Sequence, residues 1–224
     1  MEETELRHLT ACRLFKGVDT AALDLIRRAA TPFKVAAGQQ LFGRGDDGLM
    51  MYAVLVGRLE VYAITESGRK VSLNLVRAGE CIGEISMFDG VARSASIAAQ
   101  DDSVLQPISK VTFSAASAQS PLLALNMIGI LCERFRWASS SVEDFAILTL
   151  ERRLARRLLL LHERFSNRDG EITMTQHDLA DFAGASREAT NKVLMQWKTA
   201  GVIDIRRGSI KLLLMDQLDQ LAHA

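Results

Sequence analysis

Ile82-Gly83-Glu84-Ile85-Ser86-Met87, five further residues, and then Arg93-Ser94-Ala95-Ser96-Ile97-Ala98-Ala99 is the stretch on which the reading of this 224-residue chain turns. An arginine followed by a hydroxyl is a clamp for one phosphate, because the guanidinium donates paired hydrogen bonds and the serine adds a third. Residues Glu84 to Phe88, read as a short helical turn, aim free backbone N–H groups at the same anion. A carboxylate beside such a clamp cannot take phosphate, so Glu84 suits a sugar hydroxyl. Taken alone, Glu84 and Arg93 also read as an ion pair across a surface turn, worth about 0.2 to 1 kcal/mol and carrying no function.

Outward from that stretch, Phe33 to Ile108 reads as short β-branched or apolar runs punctuated by glycine at positions 38, 43, 45, 48, 57, 68, 79, 83 and 90. Turn signals every 8 to 12 residues or so predict an all-β barrel or jelly roll. Val54 to Ile64 reads as one strand-pair element, Val71 to Val76 as a strand after the turn Glu66-Ser67-Gly68, and Ser94 to Ala99 as a later strand. After Pro121 the pattern turns helical: Ile128, Leu131, Phe135, Ala138, Val142, Phe145 and Thr149 recur at alternating steps of three and four. A seam of that kind suits a two-stranded coiled coil and hence a homodimer, and it also suits a single helix packed on its own barrel.

The 27 basic and 27 acidic residues cancel, and 48% of the chain is hydrophobic, so neither disorder nor a wholly basic nucleic-acid coat is supported. Up to Thr149 there are 15 basic and 17 acidic residues, and from Leu150 there are 12 and 10, so the C-terminal part is the basic one. No apolar run approaches the roughly 18 residues of a membrane span, and Met1 to Glu5 carries three glutamates where a secretory leader is basic. The expectation is a soluble cytoplasmic protein with no membrane partner. Cys12, Cys81 and Cys132 are widely spaced, and His8, His162, His177 and His223 are scattered, so no disulfide framework, metal site or catalytic pair is expected.

A second motif follows, Met174-Thr175-Gln176-His177-Asp178-Leu179-Ala180-Asp181-Phe182-Ala183-Gly184-Ala185-Ser186-Arg187-Glu188. Thr175 caps one helix, Gly184 supplies a turn, and Ser186 caps a second helix running through Lys198. Leu179, Ala180, Ala183, Val193, Leu194 and Trp197 form its inward face, which leaves Arg187, Glu188, Asn191 and Lys192 outward where a recognition helix keeps its base readers. By spacing alone an ordinary helical hairpin with solvated charges reads equally well.

Together these motifs resemble the cyclic-AMP receptor protein/FNR (CRP/FNR) family of bacterial transcription regulators. The first stretch resembles the family's phosphate-binding cassette in its Gly-Glu, the small Ser86, the aliphatic that follows and the Arg-Ser-Ala triplet. The likeness extends through Ala37-Gly38-Gln39-Gln40-Leu41-Phe42, Gly45-Asp46 and Gly57-Arg58-Leu59-Glu60-Val61-Tyr62, and the second motif with Ile203-Asp204-Ile205-Arg206-Arg207-Gly208-Ser209-Ile210 resembles a winged helix-turn-helix. The resemblance implies an α+β chain: a β-roll (jelly-roll) cyclic-nucleotide-binding domain with an N-terminal helix over 1–120, a long dimerisation helix and hinge over 121–149, and a winged helix-turn-helix DNA-binding domain over 150–224.

It also implies roles. Glu84 holds the ribose, Arg93 and Ser94 hold the cyclic phosphate, and Gly83 gives close backbone approach, with Ile85, Ser86 and Ala95 completing the cassette. Val71 and Leu73 match positions that pack against the base. The family's base-contacting Thr-Ser pair falls on Ala138-Ser139, so its threonine is absent, and cyclic AMP, cyclic GMP, a 2′,3′-cyclic nucleotide or relaxed choice all stay open. On the DNA side Arg187 and Glu188 suit guanine O6/N7 and cytosine N4 in a half-site related to TGTGA. Lys192 stands where the cyclic-AMP receptor protein has a second arginine, and it offers a point charge without a fork. Gln176, Ser186, Arg206 and Arg207 are phosphate contacts, and the expected partners are palindromic double-stranded DNA, a second copy of the chain and RNA polymerase.

Rival readings are an iron-sulfur sensor, which needs about four cysteine ligands, a haem-based sensor using His8, Cys81 or a methionine, and a regulator with another anionic effector or none. A cyclic-nucleotide-regulated enzyme has no room for a catalytic domain after the hinge. The expectation is therefore a regulator and not an enzyme, with a cyclic nucleotide effector and no metal.

Overall fold

The computed structural model describes residues 8–66, 68 and 70–223. Ser67 of the expected turn and Met1 to Glu5 lie outside the described residues. The chain divides into two compact units, one formed by the chain up to Ile64 together with Leu73–Arg136, the other by Thr65–Ser72 and Trp137–Ala224.

The first unit is built on two four-stranded sheets. One has the order β1-β8-β3-β6 and the other β2-β7-β4-β5, where β1 is Phe33–Val35, β2 Gln40–Phe42, β3 Met50–Val56, β4 Arg58–Ile64, β5 Lys70–Arg77, β6 Cys81–Ile82, β7 Ser96–Ala99 and β8 Ser103–Ser109. Val54, Leu59, Val76, Ile82, Ile97 and Leu105 form one buried cluster. On β3, Met51, Ala53 and Leu55 point the other way, into a second cluster with Leu14, Phe15, Ile26, Phe113, Leu123 and Met127. This strand is covered on both faces, which is why Met50–Val56 reads as an unbroken apolar run rather than an alternation.

The element expected over Val54 to Ile64 resolves into the end of β3, a turn at Gly57 and β4. Gly57 has φ +90°, and a Cβ there would stand 2.2 Å from Ser103 Oγ, so both backbone and space require glycine. Helices α1 (Thr20–Ala29), α3 (Lys110–Gln119) and the first part of α4 (Leu122–Ile147) supply the outer layer, and α2 (Glu84–Asp89) sits between β6 and β7. Ser109 starts α3 by accepting a hydrogen bond from the Thr112 amide at 3.1 Å.

The second unit holds α5 (Leu150–Phe165), α6 (Gln176–Ala183), α7 (Arg187–Thr199) and α8 (Met215–His223) with a three-stranded sheet ordered β10-β11-β9. Here β9 is Glu171–Thr173, β10 Ile203–Arg206 and β11 Ser209–Leu212. Thr175 and Asp178 form a reciprocal capping box at the start of α6, Gly184 ends it in the left-handed conformation, and Ser186 caps α7. Leu154, Leu158, Leu161, Leu179, Leu194, Trp197 and Leu218 are buried in its core.

Candidate functional site

In the first unit the cassette is held from every side. Gly83 leaves β6 at φ +78°, and a Cβ there would lie 2.6 Å from Arg93 Nη1, so no other residue fits that step. Gly90 closes α2 with its amide donating to the Ser86 carbonyl at 3.0 Å. The backbone of Arg93 is tied to the preceding loop, its amide donating to the Asp46 carbonyl and its carbonyl accepting from the Gly45 amide, both at 2.9 Å. Ser86 is buried against Gly48, where a Cβ would come within 2.1 Å of the serine Cβ, which explains the need for small residues at both positions.

The two charged groups of the cassette are buried. Arg93 is 4% exposed: Nη1 donates to the Gly83 carbonyl at 2.8 Å and Nη2 to the Met50 carbonyl at 2.7 Å, and the guanidinium lies 4.0 Å above the Phe42 ring. Its Nε has no partner, and burial depresses its pKa. Glu84 is 0% exposed; Oε1 accepts from Arg134 Nη1, while Oε2 is unpartnered. Arg134 Nη2 donates to the Cys81 carbonyl, and although burial alone lowers the Arg134 pKa, the adjacent Glu84 carboxylate outweighs it and raises the value. A buried carboxylate and a buried guanidinium, each with one idle polar atom, are costly unless something completes them.

Of the other expected ligand residues, Ser94 is exposed, Gly83, Ala95 and Val71 are half-buried, and Ile85 and Leu73 are 46% and 38% exposed. Val71 and Ser139 belong to the second unit, and Ser139 is exposed on α4. Arg134, Phe42 and Gly48 escaped the sequence reading. A buried Glu84 implies a cation somewhere, but nothing in the spacing of the helix distinguishes Arg134 from Arg136.

On α4, Ile128, Phe135 and Val142 are 55%, 75% and 69% exposed and Ala138 is exposed, together with Leu125 at 62%. The seam reading also included Leu131, which is half-buried, and Phe145, which is 48% exposed. Leu131 packs on the core around Phe15 and Met127. The Phe145 ring lies against Gly184, close enough that a Cβ there would sit 2.4 Å from it.

In the second unit Arg187, Glu188, Asn191 and Lys192 are all exposed on the first turns of α7. A cleft of about 260 Å³ lies beside them, lined by Thr175, Gln176, His177, Arg187, Arg206 and Arg207 among others. Arg206 is paired within its own sheet, donating to Glu171 at 2.8 Å and Asp204 at 3.1 Å. Among the described residues Arg187, Lys192 and Arg207 form no ion pair, so their charge is available to an anion. Ser186 spends its oxygen on the Ala189 amide at 3.2 Å, which leaves its hydroxyl proton to donate.

The first unit is thus a β-roll that buries Glu84 and Arg93, and the second a winged helix-turn-helix that exposes Arg187, Lys192 and Arg207. Comparison with known proteins agrees: residues 32–120 match the cyclic nucleotide-binding domain and residues 152–221 the Crp-like helix-turn-helix domain. The chain is 24% identical over 220 residues to a CRP-like cAMP-activated global transcriptional regulator of Mycobacterium tuberculosis, covering 96% of this chain and 97% of the relative. It is 28% identical over 209 residues to the cyclic AMP receptor protein of Thermus thermophilus, covering 93% and 96%. Among solved structures, a CRP/FNR-family transcriptional regulator of Thermus thermophilus superposes with a TM-score of 0.74 at 27% identity, covering 86% of this chain and 98% of that one. The chain belongs to the CRP/FNR family of DNA-binding transcription regulators, which are not enzymes. Among the described residues no helix is long and apolar enough to cross a membrane.

Proposed function

We propose that this regulator works in the cytoplasm as a homodimer whose DNA binding is switched by a cyclic nucleotide, cyclic AMP in first place and cyclic GMP in second. The observation that carries the reading is the pair of buried, opposite charges in one cassette, Glu84 with Oε2 idle and Arg93 with Nε idle. A ribose hydroxyl satisfies the first, and a cyclic phosphate with Ser94 engages the second. The names of its relatives, a cAMP-activated regulator and a cyclic AMP receptor protein, support cyclic AMP. Val71, Leu73 and Ser139 then face the base.

The exposed apolar residues of α4 meet a second copy, with residues 121–149 as dimerisation helix and hinge between a ligand domain over 1–120 and a DNA head over 150–224. Effector binding favours the arrangement that sets the two heads at the spacing of adjacent major grooves, about 34 Å. The ligand must bind that arrangement more tightly, and a coupling of about 1 to 3 kcal/mol is ordinary. Arg187 and Glu188 read a half-site related to TGTGA, Asn191 and Lys192 add contacts, and Gln176, Ser186, Arg206 and Arg207 hold phosphates, with RNA polymerase as the downstream partner.

A second reading has one specific support: both Nη atoms of Arg93 are occupied by the Gly83 and Met50 carbonyls. In that reading the clamp stays closed on itself, and another effector or none controls the protein. Calorimetric titration of the dimer with cyclic AMP and cyclic GMP, beside Arg93→Leu, and DNA binding with and without the better ligand separate the two. Micromolar binding lost in Arg93→Leu, with DNA affinity rising on ligand, supports the first. DNA binding that persists while neither nucleotide binds supports the second.

A further inference from the structure

In the second unit one side of α4 carries Trp137, Ser141, Asp144 and Phe145, of which Asp144 is buried, Trp137 and Ser141 are half-buried and Phe145 is 48% exposed. Each contact from it ends on a different part of the DNA head. Arg157 of α5, 6% exposed, lies between two rings, with its guanidinium 5.5 Å from the Trp137 centroid and 5.0 Å from that of Phe182 on α6. It also donates to Ser141 Oγ at 3.3 Å. Phe145 covers Gly184, the turn between α6 and α7. Arg156 pairs with the buried Asp144 and donates to the Ala222 carbonyl of α8 at 2.9 Å. Three separated points of attachment define an orientation, which one or two do not.

The choice of arginine at 157 is informative. An aliphatic side chain of similar volume would fill the space without desolvating a charge, and replacing buried ions by apolar groups is often neutral or stabilising. A guanidinium adds direction: its charge lies within cation–π reach of both rings while an N–H holds the serine, so rotation of α6 about the end of α4 breaks contacts that a methionine would keep. We infer that Arg157 is a positioning residue for DNA recognition, fixing the bearing of the helix-turn-helix on the last turns of α4 and so the spacing between the half-sites a dimer accepts. The leverage is large, because a 10° tilt of a 13-residue helix, about 20 Å long, moves its far end by about 3.4 Å, one base-pair step.

The inference rests on the dimeric DNA-binding reading above. Its test is selection of binding sites from random duplex DNA by the full-length protein, with and without cyclic AMP, for the wild type, Arg157→Met and Ser141→Ala. The wild type is expected to return a palindrome with one spacer length. Arg157→Met is expected to return the same half-site with two or more spacer lengths while its melting temperature holds or rises, and Ser141→Ala a smaller broadening in the same direction. A single unchanged spacer in Arg157→Met overturns the inference, as does a loss of folding in that variant, which assigns Arg157 to structure alone. Failure of the wild type to select any palindrome overturns the dimeric reading and the inference with it.

Discussion

Replacing Arg134 by methionine tests whether the cassette is a charged assembly completed from α4. The substitution removes the donor to Glu84 Oε1 and the donor to the Cys81 carbonyl. Glu84 Oε2 already lacks a partner, so the carboxylate, 1% exposed at its side chain, is left with none of these contacts. Removing one member of a buried ion pair costs about 3 to 5 kcal/mol. Because the Arg134 side chain is 29% exposed and water reaches part of it, the low end applies, about 3 kcal/mol. At 1.4 kcal/mol per factor of ten, that is roughly a hundredfold loss of hydrogen-exchange protection for the slowest amides of β3 and β8. Native-state exchange read by mass spectrometry supplies its own control, since amides of α6 and α7 lie in the other unit. Glu84→Gln in the Arg134→Met background removes the stranded charge and is expected to recover most of the protection. Barrel amides within twofold of the wild type would refute the claim that Arg134 neutralises Glu84.

The remaining expectations are more local. Phe135→Glu, at a site 75% exposed within the single chain, leaves the fold intact and weakens dimerisation at least a hundredfold by sedimentation velocity; a dimer persisting at micromolar concentration removes this face from the seam. Gly184→Ala forces a Cβ onto the Phe145 ring at φ +64° and is expected to cost about 1 to 2 kcal/mol, read by urea unfolding through Trp137 and Trp197, both in the second unit. Burial pushes the Cys12 thiol from 9.0 up to about 11, and Cys81 shifts the same way for the same reason. The unfolded thiol ionises first, so the stability Cys12 contributes is complete below pH 9 and is lost as pH rises toward 11, about 3 kcal/mol in all, seen as an alkaline fall in unfolding free energy that Cys12→Ala reduces while the Cys81 contribution remains. Lys192→Arg restores a forked donor and sharpens selection at one base position of the half-site without changing its length, as site selection from random DNA will report.

The cassette was legible because its constraints are local. Gly83 and Gly90 mark the ends of α2 by their conformation, and the Arg-Ser pair follows at a spacing that one short helix and one strand entry can span. The helix-turn-helix was legible for the same reason, since Thr175, Gly184 and Ser186 each act within a turn or so of their own position. What escaped is long-range. Arg134 meets Glu84 across 50 residues, Arg93 is anchored by the Met50 carbonyl across 43, and Gly48 matters because Ser86 presses on it. No periodicity records such a meeting; only the folded barrel does. The wing shows a subtler loss: Arg206 and Arg207 look equivalent in sequence, yet Arg206 is matched by Glu171 on β9 and Asp204 on β10 while Arg207 is not, a difference that spacing does not record.

The seam on α4 was legible as a pattern of spacing and not as a set of partners, for a reason that geometry explains. A strict seven-residue repeat drifts by about 20° per heptad on a straight helix of 3.6 residues per turn, so over three heptads the chosen positions walk around the surface. Ile128, Phe135 and Val142 stay outward, whereas Leu131 reaches the core of the first unit and Phe145 reaches Gly184 in the second. An apolar residue satisfies the pattern whichever neighbour it touches, because burial rewards contact without regard to partner. Leu125, Ile128, Phe135, Ala138, Val142 and Phe145 are all exposed in the single chain, and Leu131 is half-buried. Two kinds of contact that a single stripe had merged are therefore separated on this helix: apolar side chains exposed in the single chain, and Trp137, Ser141 and Asp144, which meet Arg157 and Arg156 of α5.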